Sequence, residues 1–250
     1  MSSFYTLMKK ECAEDILSFR SLLLFLFASV LMSIFAFLLI SNKELSLLDN
    51  AHAIYMMIGI VLVLSSLIII IQGSDSIAGE RDRETLEVLL LSPIGSKGLI
   101  LAKLGKIMIS WLFLYVLAIP YLWAVGSIGQ NLWPAIYILF ITGTLLTLIL
   151  SGISLIISAE MSTLKGALFI SMVIFLLLVS PAVLGSSLRQ TMVGRVFDFI
   201  NPFMDALNSI DSVIIDSEKL NVQSYRLGIM VLYTIVMQGF LFGGLRRIKL

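Results

Sequence analysis

The sequence predicts an all-α, polytopic membrane protein with six transmembrane helices. Three observations carry this expectation. Of the 250 residues 59% are hydrophobic and only 13% charged, and the mean hydropathy is +1.04. Several stretches free of Asp, Glu, Lys, Arg and His also reach the roughly 20 apolar residues that about 30 Å of hydrocarbon requires. A soluble chain of this length needs far more polar surface, so the surrounding solvent has to be lipid.

The apolar runs lie at residues 21–40, 54–72, 107–125, 133–157, 166–184 and 227–245. Each is long enough to cross as a helix at 1.5 Å per residue. Before the first run, residues 3–19 place Phe4, Leu7, Met8, Cys12, Ile16 and Phe19 on one helical face and Lys9, Lys10, Glu14 and Asp15 elsewhere. That pattern predicts an interfacial helix lying on the membrane surface. The mixed charge and the long apolar run that follows do not read as a cleavable signal.

Between the second and third runs, a charged stretch leads into Leu86, Leu89 and Leu90 before Pro93 stops the helix. A short amphipathic helix is expected at about 80–92. The segment 185–225, between the fifth and sixth runs, is too long for a plain helical hairpin. There Phe197, Phe199, Ile200, Phe203 and Leu207 accompany Asp198, Asp205, Asp211, Asp216 and Glu218. Short outer helices broken at Asn201-Pro202 are expected, at the interface or dipping into it.

Charge sets the orientation. With the amino terminus inside, the inner segments hold Lys9, Lys10, Arg20, Arg81, Arg83, Lys97, Lys103, Lys106, Lys165, Arg246, Arg247 and Lys249, twelve of the 17 cations. The outer segments hold Lys43, Arg189, Arg195, Lys219 and Arg226, the other five. The bias puts both termini in the cytoplasm.

Composition excludes several chemistries. A net charge of +1 with dispersed cations offers no stripe for nucleic acid. One cysteine, Cys12, and one histidine, His52, make neither an internal disulfide nor a usual zinc site, so no metal or cofactor is expected in this chain. No HExxH or serine–histidine pair appears within the runs, which disfavours an intramembrane protease. Absence of an acidic or histidine residue inside the runs disfavours a proton-coupled carrier. Without GxxxxGK[ST], the chain is not expected to hold ATP through a P-loop. Gly239 and Gly243 form a GxxxG in the last run, and Ser151, Gly152, Ser154 and Ser158 crowd the fourth. Both sets of small residues are expected to pack helices within one subunit. Pro120 and Pro181 fall near the outer ends of the third and fifth runs.

Residues 79–94, GERDRETLEVLLLSPI, resemble the cytoplasmic signature of ABC-2 type transporter permeases, approximately E-R-x-x-G-T-L-E-x-L-L-x-[ST]-P-[IV]. Glu80, Arg81, Thr85, Leu86, Glu87, Leu89, Leu90, Ser92 and Pro93 match, and Lys103 sits where the family carries a lysine entering the third span. The family's usual glycine before the threonine is Glu84 here. The order of elements along the whole chain, 1–250 as one transmembrane domain, is also similar to that family.

The resemblance implies a permease that pairs with a second permease subunit, identical or related, about a two-fold axis. Each would receive a cytoplasmic ABC ATPase on the coupling helix at 79–94. ATP and magnesium would belong to the ATPase. It implies a multi-pass protein of the plasma (inner) membrane and outward movement of an amphipathic or hydrophobic cargo. The candidate coupling residues are Glu80, Arg81, Asp82, Arg83, Thr85, Leu86, Leu89, Leu90, Ser92 and Pro93. The rival expectation is a non-transporting transmitter that relays ATPase motion to an extracytoplasmic partner on 185–225.

Overall fold

The computed structural model describes residues 18–41, 50–86, 95–127, 131–183, 191, 192, 194, 196, 200–216 and 224–244. In chain order its helices are α1 (Phe19–Ser41), α2 (Asn50–Asp82), α3 (Gly95–Gly126), α4 (Leu132–Glu160), α5 (Leu164–Val183), α6 (Pro202–Ile214) and α7 (Ser224–Gly244). Six of them, all but α6, are long and apolar enough to cross a membrane. They follow the six apolar runs in order. Lipid offers no partner to a backbone N–H or C=O, so each run satisfies its own polar groups as a helix.

The spans α2 and α4 form the centre of the bundle, while α1, α5 and α7 turn most of their surface outward. Small residues bring α2 and α4 together. A Cβ at Gly73 would lie 1.9 Å from Ser154 Oγ and 2.7 Å from Ser154 Cβ. Further along α4, Gly143 lies directly beneath the indole of the buried Trp111 of α3, whose Nε1 donates to Thr144 Oγ1 at 3.1 Å. Without a hydrophobic drive between helices in lipid, this close approach is what gives the packing its dispersion energy.

The small residues of α4 therefore pack within the subunit. Those of α7 do not follow suit: the space a Cβ would occupy at Gly239 or Gly243 is open. Instead α7 meets α4 through Met237, beside Gly152, and through Gln238, whose Nε2 donates to Leu148 O at 2.8 Å. One amide bonded to a backbone carbonyl orients the helix and leaves the GxxxG face turned away.

Two boundaries differ from expectation. The helices outrun their apolar runs, α2 continuing past residue 72 to Asp82 and α3 starting at Gly95. Glu80, Arg81 and Asp82 are thus the last turn of a span and not the first turn of a separate amphipathic helix. The helix persists because its charged end finds partners on α3, α4 and α5, set out below. The interfacial helix expected at 3–19 falls almost wholly outside the described residues, as do positions 87–94.

Between the fifth and sixth spans, where short outer helices at the interface or dipping into it are expected, α6 is built into the bundle, and much of 185–225 around it lies outside the described residues. Eleven of its thirteen residues are buried, Asp205 among them. Asn201 and Pro202 are the expected break and also its start signal. Asn201 Oδ1 accepts from Phe203 N at 2.9 Å, while Nδ2 donates to Leu178 O of α5 at 2.7 Å. Pro202 fills the first helical position, where a missing N–H costs nothing. At the other end Ile214 O accepts from Asn131 Nδ2 at 2.9 Å. Two asparagines thereby tie both ends of α6 to the spans.

Candidate functional site

The end of the bundle opposite α6 is polar, and the signature residues meet there. At Asp82 the α2 helix closes in a Schellman turn: Thr85 N donates to Glu80 O at 3.0 Å and Glu84 N to Arg81 O at 3.0 Å. This turn requires a left-handed residue after the helix, and Glu84 takes it with φ of 58°. An L-residue pays roughly 1–2 kcal/mol for that conformation and glycine almost nothing. The glycine in the family pattern therefore has a backbone reason. Glu84→Gly is expected to raise stability by about 1 kcal/mol, read as a higher melting midpoint of the purified protein in detergent. A lower midpoint would instead mean that the Glu84 side chain is needed for the turn.

The carboxylate of Glu80 is held from two sides. Its Oε1 pairs with Lys103 Nζ of α3 at 3.2 Å, and its Oε2 accepts from the Thr85 hydroxyl. The Lys103 and Glu80 side chains are 2% and 20% exposed, so this ion pair is largely enclosed by the protein.

The next two residues grip the connection between α4 and α5. Arg81 donates to the carbonyls of Met161 and of Ala159, the latter at 3.2 Å, and so caps the end of α4 with a cation. Asp82 Oδ2 accepts from Leu164 N at 2.9 Å and caps the start of α5 with an anion. Both signs agree with the helix dipoles. One turn below, Ser158 Oγ accepts from the backbone N–H of Ile77 and Ala78 at 3.1 and 2.8 Å and donates to Ser74 O at 2.7 Å. That hydroxyl bonds the backbone of α2 near the end of the helix.

Thus Glu80, Arg81, Asp82 and Thr85 come together, and the segment entering at residue 85 is anchored at once to α3, α4 and α5. Arg83 faces another way, onto Asp75 Oδ2 at 3.5 Å. Leu86 is half-buried against the bundle's own core. Leu89, Leu90, Ser92 and Pro93 lie outside the described residues.

Sequence reasoning missed Arg20, whose Nη1 lies 3.2 Å from Asp75 Oδ2. Arg20 and Asp75 are 55 positions apart, and no local pattern links them.

The other half of the bundle holds an apolar cavity of about 690 Å³ between α1, α2, α5 and α6, walled by side chains such as Phe35, Met56, Val179 and Phe203. Gly59 forms part of its floor, where a Cβ would touch only Leu207 at 3.7 Å. The volume lies within the range of small-molecule sites, roughly 300–1,000 Å³. Among the described residues no group of His, Cys, Asp and Glu could hold a metal ion.

Compared with known protein families, residues 5–243 match the model described as ABC-2 family transporter protein. No curated protein matches the sequence significantly.

Proposed function

The chain belongs to the ABC-2 family of transporter proteins, and from that premise we propose that it is the membrane-spanning permease subunit of an ATP-driven transporter, energised by a separate ABC ATPase. The family is one of multi-pass membrane proteins that partner an ABC ATPase and often a second permease. In this reading the chain sits in the plasma membrane with both termini and the polar end of the bundle facing the cytoplasm. A second permease subunit completes the pathway, and ATP with magnesium is bound by the ATPase.

The observation that carries the proposal is the anchoring of the α2 end. An ATPase seated against residues 86–94 pushes on a segment whose root is fixed to three further spans by Glu80–Lys103, Arg81 and Asp82. Force applied there moves α2 to α5 together instead of bending a loop. In lipid, where helices are held by packing and hydrogen bonds, such a body reorients as a unit.

The apolar cavity between α1, α2, α5 and α6 supports the cargo class. Its apolar lining suits a hydrophobic or amphipathic molecule, and nothing in it would desolvate and hold a bare ion. Outward transport of such a molecule is the direction proposed. The rival reading, a transmitter that relays the stroke to an extracytoplasmic partner on 185–225, gains no support from α6, which spends its surface on the bundle and not on a docking face.

Leu89→Asp tests the proposal. Leu86 already packs on the bundle, so the cleaner probe of docking is the leucine three positions on. The variant is expected to insert and remain monodisperse while copurification with its co-expressed ABC ATPase falls at least tenfold, an apolar hot-spot contact being worth over about 2 kcal/mol. Full retention of the complex and of its ATP hydrolysis would remove the coupling role from this segment.

A further inference from the structure

Gly59 stands inside α2, one of the two central spans, where a glycine weakens the helix relative to alanine. At Gly73 and Gly143 a Cβ would collide with Ser154 and with Trp111, so those glycines let a neighbouring helix approach. At Gly59 a Cβ would meet only Leu207 Cδ2 among the described residues, at 3.7 Å, an ordinary contact. No close neighbour requires this glycine. What it does is keep open the floor of the apolar cavity between α1, α2, α5 and α6.

The dimensions of that cavity narrow what fits it. Its lining runs along α1 from Leu31 to Leu39 and along α2 from Leu64 back to Tyr55. At 1.5 Å per residue both tracks are about 12–14 Å long. Leu31 and Leu64 lie at the midpoints of their apolar runs, 21–40 and 54–72, whereas Leu39 and Tyr55 lie at the ends nearer α6. The cavity therefore reaches from the middle of the hydrocarbon to its edge, the depth of one leaflet, half of about 30 Å. No lining residue is charged, and Tyr55, at the edge, is the only one with a side-chain oxygen or nitrogen. One flank is open: Leu38 of α1 and Val183 of α5 are 54% and 81% exposed there, at a depth where the exterior is lipid.

We propose that the cavity holds one acyl chain of a membrane lipid, drawn in sideways from the leaflet on the α6 side. The chain lies along α2 over Gly59, its methyl end toward Leu31 and Leu64 and its ester end near Tyr55. Such a chain spans one leaflet, carries no polar atom to desolvate along its length, and enters from lipid without crossing water. That the chain belongs to the cargo rests on the permease reading; that it binds does not.

The test places the full chain in phosphatidylcholine vesicles containing a small fraction of phosphatidylcholine with a photoreactive diazirine in mid-chain. After irradiation, peptide mass spectrometry locates the adducts. Phe203 and Leu207 of α6 are 1% and 7% exposed, so label on them arrives through the cavity. Label on α7, which turns most of its surface outward, reports lipid on the belt of the bundle. Gly59→Leu is expected to cut α6 labelling about tenfold, the equivalent of displacing about two methylene groups, and to leave α7 labelling unchanged. Its melting midpoint should not fall, because leucine favours the helix and gains apolar contact. Ala182→Phe, at the exposed rim of the cavity, is the second variant should the first fail to fold. Absence of adducts on α6 in the unmodified chain, or equal α6 labelling in the folded variants, overturns the proposal. Dissociation of a dimer on Gly59→Leu, read by light scattering, would assign the cavity to a second copy of the chain and overturn it as well. None of these readouts involves an ATPase, so their failure leaves the permease reading to the Leu89→Asp experiment.

Discussion

Glu80→Ala is expected to destabilise the protein by about 3 kcal/mol, the cost of breaking a buried ion pair by removing one partner. The reason lies on α3. Lys103 is almost wholly enclosed, and loss of the Glu80 carboxylate takes away an anion that its ammonium holds at 3.2 Å inside the protein. Thr85 also loses an acceptor at the turn that ends α2. Adding Lys103→Met should restore most of the loss, because an apolar side chain of similar reach can fill the same space without a charge to solvate. Glu80→Gln should fall between, since it keeps an acceptor for Thr85 without the charge. Unfolding midpoints of the three variants in detergent decide the matter. A loss below about 0.5 kcal/mol for Glu80→Ala, the usual worth of an exposed pair, would place the pair in water.

Gly73→Ala should be at least as damaging, by about 3 kcal/mol, at the upper end for overpacking a core. The new methyl would collide with both Oγ and Cβ of Ser154. A rotamer change can move Oγ, but Cβ is fixed to the α4 backbone, so α2 and α4 would have to separate. These are the two central spans, and Ser158 one turn on would then lose its bonds to Ser74, Ile77 and Ala78. Ser154→Gly in the same chain should give back most of the stability by vacating the space. Failure of that second substitution to rescue the first would locate the clash elsewhere. The pair is suited to a double-mutant cycle because the residues touch and the coupling should be large.

The signature at 79–94 was readable as a pattern, yet its parts do different things. Arg81 and Asp82, two of the candidate coupling residues, also hold the ends of α4 and α5. Glu80 and Lys103 were both visible in the family pattern, but not that they form one pair across 23 positions. The substitution at Glu84 could be seen as a departure from the pattern; that it falls on a left-handed residue became clear only from its backbone angle. Leu86 shows the same limit. Its spacing predicted an apolar face and could not say whether that face meets a partner or its own bundle.

What the sequence by itself determined is the number and order of the spans, the polar segments between them and the location of the family signature. Lipid makes these local properties: a run either is or is not apolar enough to cross, and a backbone inside hydrocarbon has only the helix to satisfy it. Only the tertiary structure decided which small residues bring helices together, why α6 is buried, how Glu80 finds Lys103, and that Gly59 lies on the floor of an apolar cavity. Those outcomes depend on which helices become neighbours. Between helices in lipid the choice is made by shape and by a few hydrogen bonds between residues far apart in the chain, and no hydropathy pattern records them.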